Sequence, residues 1–272
     1  MRHLTGVGAA LAATAAILVP SPAAAQSADP PTGVCRAIAH RMGATSRIDE
    51  NTLEGLRRTT RMGVRAEVDF APTTDGLVAF HPNLWQQGTD GEGHVWDTTQ
   101  EYAAGLTTLP NRQHVPSAAE VLDQAAARGA RLLIELHHWV HWQPEFLTHV
   151  VRKIDQLDLW DRVWITGTRG ALTALRELVD ATVLWRADAE SNLTLEAAQK
   201  LGVDLLAVSR GAPVSLIRFW RDAGYRVTAR QSNIREYAWA MRRHILTVQT
   251  NTPVAWLRYC DRYARRAERA NS

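Results

Sequence analysis

The chain has 272 residues and lacks several features that mark particular protein classes. It contains no internal repeat and no low-complexity region. Its basic residues form no stripe interleaved with aromatic side chains, so we expect no nucleic-acid partner. Beyond the first residues no apolar run approaches the length that spans a membrane, so we expect no transmembrane segment. The sequence predicts no particular oligomeric state.

Cysteine is scarce, since Cys35 and Cys260 are the only two in the chain. In an oxidising compartment an even number of cysteines permits one disulfide. That bond would join the first predicted strand to the last predicted helix. The alternative is two buried free thiols.

The first residues are typical of a secretory signal peptide. Arg2 and His3 precede an apolar run from Gly8 to Val19, and Ala23-Ala24-Ala25 offers a small-residue cleavage site. We therefore expect a signal peptide over residues 1–25, cleaved after Ala25, and a linker over residues 26–34. The mature protein is expected to be secreted.

The remaining chain is long enough for one large core, because hydrophobic residues make up 46% of the sequence. Short apolar runs alternate with segments of helical periodicity, which predicts parallel βα units. The predicted strands are Cys35–Ala39, Arg65–Phe70, Leu77–Phe80, Leu132–Leu136, Val163–Thr166, Thr182–Trp185, Leu205–Val208, Tyr225–Thr228 and Ile245–Val248. The predicted helices are Thr52–Met62, Ser117–Arg128, Pro144–Gln156, Gly170–Val179, Thr194–Leu201, Pro213–Ala223, Asn233–Met241 and Pro253–Arg266.

Nine strands are one too many for an eightfold barrel, and the connection lengths identify the extra one. Only residues 71–76 separate Phe70 from Leu77, whereas a parallel crossover needs about a dozen residues. Leu77–Phe80 should therefore return antiparallel to the second strand and deliver His81 to the barrel mouth. The prediction is a (β/α)8 TIM barrel over residues 35–272, with a small capping insertion over residues 82–115 after the second strand.

Three carboxylates are the candidate ligands of a metal ion. Glu67 and Asp69 share one face of the second strand, because strand side chains alternate. Glu135 lies at the end of the next apolar strand, where an ionised carboxylate needs a partner. Oxygen ligands of this kind favour Ca²⁺ or Mg²⁺. The alternatives are a solvent-facing strand of alternating charge and a Glu135 that turns outward into a loop with His137.

Two histidines and an arginine are placed at the same end of the predicted barrel. His40 ends the first strand and His81 ends the returning strand. A pair of histidines beside a metal suits general acid and base catalysis near neutral pH. Arg41 is a candidate to contact a phosphate oxygen. Taken singly, each histidine is more often structural than catalytic.

An ordered series of short motifs resembles the glycerophosphodiester phosphodiesterase family, within the phosphatidylinositol phospholipase C-like phosphodiesterase superfamily. The motifs are His40-Arg41-Met42-Gly43, Glu50-Asn51-Thr52-Leu53, Gly63, Glu67-Val68-Asp69, Thr74-Asp75-Gly76, Phe80-His81, Ile134-Glu135-Leu136 and Thr250-Asn251-Thr252-Pro253. The match is strong over about a third of the mature chain, and the middle of the chain matches only in its strand rhythm.

The resemblance implies hydrolysis of a glycerophosphodiester to an alcohol and glycerol phosphate. It implies metal ligation by Glu67, Asp69 and Glu135, and acid–base roles for His40 and His81. It also implies phosphate contact from Arg41 and from the position of His137.

Four positions depart from the family pattern. Met42 stands where a glycine is usual, and Pro82 stands where an aspartate often orients the preceding histidine. His137 replaces a lysine that contacts phosphate, and Asn251 replaces an aspartate. These departures bear more on the substrate and the pH optimum than on the class of reaction.

Two other functions are compatible with the same motifs. One is a phospholipase D-like enzyme that acts on lysophospholipid or sphingolipid, whose apolar mouth would use Trp85, Trp96, Trp139 and Trp142. The other is a barrel that binds a phosphodiester without catalysis, since Met42, Pro82 and His137 are all unusual.

Overall fold

A computed structural model describes residues 35–137, 142–186, 193–230 and 233–271. Residues 35–272 form one compact unit. The predicted signal peptide, the linker and Trp139 lie outside the described residues.

Nine strands form one sheet, in the order β1-β9-β8-β7-β6-β5-β4-β2-β3, and pairing of β1 with β2 closes eight of them into a barrel. The strands are β1 Arg36–Ala39, β2 Arg65–Pro72, β3 Leu77–Ala79, β4 Leu132–Leu136, β5 Val163–Gly167, β6 Val183–Arg186, β7 Val203–Val208, β8 Arg226–Ala229 and β9 Thr247–Thr250. All barrel pairings are parallel. The predicted (β/α)8 barrel is thus confirmed.

The extra strand is β3, and it pairs antiparallel with the end of β2. Its register sets Phe70 opposite Ala79 and Pro72 opposite Leu77. The short connection between the two strands leaves no other arrangement, as the sequence predicted. This hairpin places His81 two residues after the end of β3.

Nine helices cover the described part of the chain. They are α1 Leu53–Arg61, α2 Gln100–Ala104, α3 Ala118–Arg128, α4 Pro144–Gln156, α5 Arg169–Leu178, α6 Leu195–Lys200, α7 Val214–Asp222, α8 Tyr237–Arg242 and α9 Pro253–Asn271. The side chains of Thr52, Ser117, Thr168 and Thr194 each accept a backbone N–H in the first turn of the helix that follows. Such N-caps fix where these helices begin.

Strand alternation divides the core into two layers. Side chains such as Ala66, Val68 and Ile134 pack outward against the helices. The barrel interior holds a smaller apolar cluster of Ile38, Leu133, Leu184, Leu205 and Ala207, against which Trp164 packs. Because facing alternates along each regular strand, the residues two positions before or after these also point inward, except at the β-bulge of β7, where Val203 lies in the outer layer.

The segment from Pro82 to Val115 packs against the β2–β3 hairpin around a second, smaller core. It contains α2, which the sequence did not predict, and 3₁₀ turns at Trp85–Gln87 and Val95–Asp97. Trp85, Val95, Ala103, Leu106 and Val115 of this segment pack with Ala71, Val78 and Phe80 of the β2–β3 hairpin in one cluster of buried residues.

Element boundaries differ from the predictions mainly in the last third of the chain. Helix α8 begins at Tyr237 rather than Asn233, because Asn233 and Glu236 are engaged in a turn. The Asn233 carboxamide accepts the Arg235 N–H at 2.9 Å, which stabilises that turn. Strand β9 lies two residues later than predicted.

Cys35 and Cys260 are joined in a disulfide, with 6.2 Å between their Cα atoms. The bond connects the start of β1 to α9, and Trp256 of α9 also donates its indole N–H to the Arg36 carbonyl at 2.9 Å. Among the described residues no helix has the length and apolarity required to cross a bilayer.

Candidate active site

Three buried carboxylates lie at the C-terminal ends of β2 and β4. Glu67 and Asp69 both face the barrel interior, and Asp69 is the register partner of Glu135 on β4. All three side chains are buried. Their nearest oxygens lie within 4.8 Å of one another, so the predicted ligand set converges on one point.

The carboxylates of this group disfavour each other's ionisation. Burial, followed by the charges of Asp69 and Glu135, raises the pKa of Glu67 well above its usual range. Burial and the charge of Glu135 raise the pKa of Asp69 to about 7. A compensating cation would remove this electrostatic conflict.

The donor set fits a hard divalent cation. Glu67 Oε1 is buried and has no hydrogen-bond partner among the described residues. Asn51 holds Asp69 from the other side, since its Nδ2 donates to Asp69 Oδ2 at 2.9 Å and its Oδ1 accepts the Asp69 N–H at 3.1 Å. Three preoriented carboxylates match the oxygen ligands preferred by Ca²⁺ and Mg²⁺.

A tight turn after β1 brings His40 and Arg41 to this group. Arg41, Met42 and Gly43 have φ angles of 48°, 60° and 72°, which lie in the left-handed region. The turn aims the Arg41 N–H at Glu67 Oε2, at 2.5 Å. Met42 therefore adopts a backbone conformation that glycine reaches more readily.

Helix α1 supports the turn through a close contact. The Met42 side chain is fully buried. A Cβ atom on Gly55 would lie 2.7 Å from the Met42 carbonyl oxygen. Only glycine at position 55 lets α1 approach this closely. Met42, which stands where the family pattern has a glycine, is therefore part of a well-packed turn.

The Arg41 guanidinium links three groups of the site. It pairs with Glu50 at 2.7 Å and donates to His81 Nε2 at 2.7 Å. Its Nε lies 3.9 Å from Asp69 Oδ2. The positive charge thus stands between the carboxylate group and His81.

His40 is held by Asn251, which follows β9. The distance from His40 Nδ1 to Asn251 Oδ1 is 2.7 Å. Because a carboxamide oxygen only accepts, Nδ1 carries the proton and Nε2 carries the lone pair. Burial lowers the pKa of His40, an effect that the Asn251 hydrogen bond partly offsets.

His81 and His137 lie together beside Asp69. Their rings meet edge to face, with 4.6 Å between centroids. A nitrogen of each ring lies within 4.8 Å of an Asp69 oxygen. Arg41 and His137 are two of the neighbours that position His81.

A cavity of about 290 Å³ opens beside His81. It lies between the loop 44–51 and the insertion, and its lining includes Glu50, Phe80 and Leu109. Asp49 joins the two walls, because its buried carboxylate accepts from Thr108 Oγ1 at 2.6 Å and from Asn111 Nδ2 at 2.6 Å. The cavity shape therefore depends on the insertion.

All seven predicted catalytic, metal and phosphate-binding residues meet at this end of the barrel: His40, Arg41, Glu67, Asp69, His81, Glu135 and His137. Sequence reasoning assigned no role to Glu50, Asn51 or Asn251, although all three stand in the quoted motifs. The motifs contained these residues, but their hydrogen-bond partners lie 18 and 211 residues away in the chain, so only the fold reveals the pairs.

No family model matches the sequence. No curated protein matches it either. Solved structures do match in fold, including a glycerophosphodiester phosphodiesterase from Parabacteroides distasonis with a TM-score of 0.74 and 19% identity, over 85% of this chain and 99% of that chain.

Two further structures give the same result. A phosphodiesterase from Oleispira antarctica in complex with the product sn-glycerol-3-phosphate has a TM-score of 0.73 and 20% identity, over 84% of this chain and 96% of that chain. A glycerophosphodiester phosphodiesterase from Agrobacterium tumefaciens has a TM-score of 0.70 and 15% identity, over 82% of this chain and 100% of that chain. The chain therefore has the fold of the glycerophosphodiester phosphodiesterases, the family that its sequence motifs resemble.

Proposed function

We propose that this chain is a secreted, metal-dependent phosphodiesterase that hydrolyses glycerophosphodiesters to an alcohol and glycerol phosphate. One observation carries the proposal: His40, His81 and Arg41 converge on three buried carboxylates at the C-terminal end of a barrel. Active sites of this fold lie at that end. The solved structures of similar fold support the same reaction.

Glu67, Asp69 and Glu135 would hold the cation. A bound Ca²⁺ or Mg²⁺ would neutralise negative charge on the non-bridging phosphate oxygens. Arg41 would supply a second positive charge to the same phosphate by leaving its contacts with Glu50 and His81. His137, beside Asp69, would contact the phosphate from the β4 side.

The hydrogen bonds suggest how the two histidines divide the acid and base roles. His40 donates its Nδ1 proton to Asn251 and keeps the Nε2 lone pair, as a general base requires. Its lowered pKa keeps the ring neutral near pH 7. His81, which lines the cavity beside the site, would then protonate the leaving alkoxide once Arg41 moves to the phosphate and His81 Nε2 takes up a proton.

The cavity and the tryptophans favour a small, water-soluble substrate over a lipid. A space of about 290 Å³ accommodates a head group rather than an acyl chain. Trp85 and Trp142 are buried, and Trp96 stacks on His94 with 4.4 Å between ring centroids. Trp85 and Trp142 therefore pack within the protein and Trp96 is half-buried, while Trp139 lies outside the described residues.

Secretion is proposed from the N-terminal sequence. An apolar run and a small-residue cleavage site are typical of a signal peptide. The disulfide between Cys35 and Cys260 supports this proposal, because such bonds persist in oxidising compartments. Mass spectrometry of protein from the culture medium should give an N-terminus at Gln26.

A substrate panel tests the function. The enzyme is stripped with a chelator, reloaded with Ca²⁺ or Mg²⁺, and assayed on glycerophosphocholine and on micellar lysophosphatidylcholine. We expect metal-dependent release of glycerol phosphate from the soluble diester and its loss in His40→Ala and His81→Ala. Full activity of both variants would refute the mechanism. Preference for micelles would indicate the phospholipase D-like reaction, and binding without turnover would indicate a non-catalytic barrel.

A further inference from the structure

Four arginines stand at the N-terminal end of the barrel, opposite the candidate active site. Arg36, Arg65 and Arg226 are the first residues of β1, β2 and β8, and Arg131 directly precedes β4. The sheet order β8-β9-β1-β2-β4 places all four along one continuous arc.

Strand register shows that these side chains point into the barrel. Arg65 pairs with Ile38, and Arg226 pairs with Leu205, which both belong to the interior cluster. Directly paired residues of neighbouring strands share a face. Arg36 lies two residues before Ile38, so it faces inward as well, and Arg131, which precedes β4, donates from Nη2 to the Gly63 carbonyl at 2.7 Å at the same end of the barrel.

Among the described residues no carboxylate forms a direct ion pair with an arginine of this arc. Arg65 donates to the carbonyls of Leu132 and Arg162 at 2.7 Å and lies 3.6 Å from the centroid of the Trp164 ring. Burial, followed by the charges of Arg131, Arg36 and Arg226, lowers the pKa of Arg65 to about 9.

Asp204 is an acidic side chain whose charge reaches the arc, at Arg226. Asp204 has no register partner at the β-bulge of β7, and it accepts from the Val183 N–H at 2.8 Å and pairs with Arg176 at 3.7 Å, so most of its hydrogen bonding lies away from the arc. The inward carboxylates of β2 and β4 lie at the other end, beyond the apolar layer of Ile38 and Leu133.

We propose that the arc of Arg36, Arg65, Arg131 and Arg226 binds a multivalent oxyanion of the phosphate type at the N-terminal end of the barrel. Arg65 forms the buried floor, Arg36 and Arg226 are half-buried, and Arg131 is exposed, so the rim is accessible from solvent. Guanidinium groups present paired N–H donors that match phosphate oxygens. The site is separate from the phosphodiester site and does not depend on the proposed function.

Inorganic phosphate is the probe that tests this site. Thermal unfolding is followed in phosphate and in sodium chloride of equal ionic strength, so that general screening is matched. The variant is Arg36→Gln/Arg226→Gln, and the control is Arg262→Gln/Arg265→Gln, which removes the same charge from the exposed face of α9. Both leave Arg41 intact, so phosphate at the catalytic end contributes equally.

Phosphate should raise the melting temperature of the wild type and the control above that in chloride, through linkage. We expect about tenfold weaker phosphate binding to Arg36→Gln/Arg226→Gln by calorimetry. Without phosphate this variant should unfold at the same or a higher temperature than the wild type, since repulsion is relieved. A purely structural arc would instead give a lower melting temperature in both buffers.

An unchanged phosphate response in Arg36→Gln/Arg226→Gln would overturn the proposal, and so would equal stabilisation of the wild type by chloride. If the double variant does not fold, single Arg226→Gln provides the same comparison. Arg36→Lys/Arg226→Lys should keep most of the phosphate response, because the positive charges are retained even though the paired N–H donors are lost.

Discussion

Asn251 holds His40 without adding a negative charge to it. The family pattern places an aspartate there, whose carboxylate would stabilise a protonated imidazole. In this protein the carboxamide orients the ring through Nδ1, and burial lowers the pKa of His40. The substitution should therefore move the acidic limit of activity to lower pH.

Asn251→Asp should reverse this effect. A carboxylate at hydrogen-bond distance from Nδ1 should raise the pKa of His40 by about one unit. Since the base must be unprotonated, the acidic limb of the kcat/KM profile should move to higher pH by the same amount. Asn251→Ala should lower activity without that upward shift. An unmoved acidic limb in a folded Asn251→Asp enzyme would contradict the role given to His40.

Ionised Glu67 would serve as a metal ligand, but its ionisation lowers the stability of the metal-free protein. Its raised pKa means that ionisation destabilises the metal-free fold. The stabilising protonated form is present at low pH and is lost as pH rises through the folded pKa. Without metal, the protein should therefore be less stable at pH 8 than at pH 5.

Glu67→Gln should make the metal-free protein more stable at pH 8. Relief of about 1 kcal/mol should raise the melting temperature by about 2–4 °C. The same substitution should abolish the stabilisation that Ca²⁺ or Mg²⁺ gives the wild type. Calorimetric scans with and without chelator measure both effects, and exposed Glu145→Gln is the control. A metal-induced shift that survives in Glu67→Gln would remove this residue from the ligand set.

At the scale of elements, the turn after β1 and helix α1 form one unit. The turn carries His40 and Arg41, and α1 packs against the Met42 backbone at Gly55. The left-handed conformations of Arg41 and Met42 persist because Glu67 accepts the Arg41 N–H and the Met42 side chain is buried. Site geometry thus depends on how close this helix lies.

Gly55→Ala should separate helix propensity from close packing. Alanine favours a helix by about 1 kcal/mol over glycine, but here its Cβ would lie 2.7 Å from the Met42 oxygen. We expect a net loss of about 1–3 kcal/mol in the free energy of unfolding, together with reduced activity. The matched control is Gly170→Ala in α5, where no atom lies within 4 Å of the added Cβ. Urea unfolding that ranked both variants above the wild type would disprove the contact.

At the scale of the whole molecule, the two ends of the barrel interior carry side chains of opposite charge. Carboxylates occupy the C-terminal end, arginines occupy the N-terminal end, and an apolar layer separates them. A covalent bond also joins the start of the domain to its last helix, because the disulfide links residues 225 positions apart, next to β1 and in α9.

Loss of this disulfide should destabilise the entire domain. A loop of this length restricts the unfolded chain, and its opening should lower the free energy of unfolding by about 3–5 kcal/mol. Denaturant unfolding of Cys35→Ser/Cys260→Ser measures the loss. The wild type in reductant should show the same decrease in the free energy of unfolding. Reductant should have no effect on the double variant. Equal midpoints for oxidised and reduced wild type would show that the bond contributes nothing.

Periodicity and connection length predicted the strands and most helices, because local pattern reflects which face of each element is buried. The β2–β3 hairpin followed from chain geometry alone. Helix α2 was missed because the insertion has too short a segment for periodicity to show. The start of α8 was misplaced because the Asn233 turn depends on side-chain hydrogen bonds.

The sequence by itself determined the barrel, the extra strand and the residue types of the site, since alternation and motif order are local properties. Only the tertiary structure decided that Asn251 positions His40, that Asn51 positions Asp69 and that Arg41 bridges to His81. Those pairs are remote in the chain and meet only because closure of the barrel brings β1, β2 and β9 side by side. The arginine arc at the opposite end has the same origin, because strand register placed its members together.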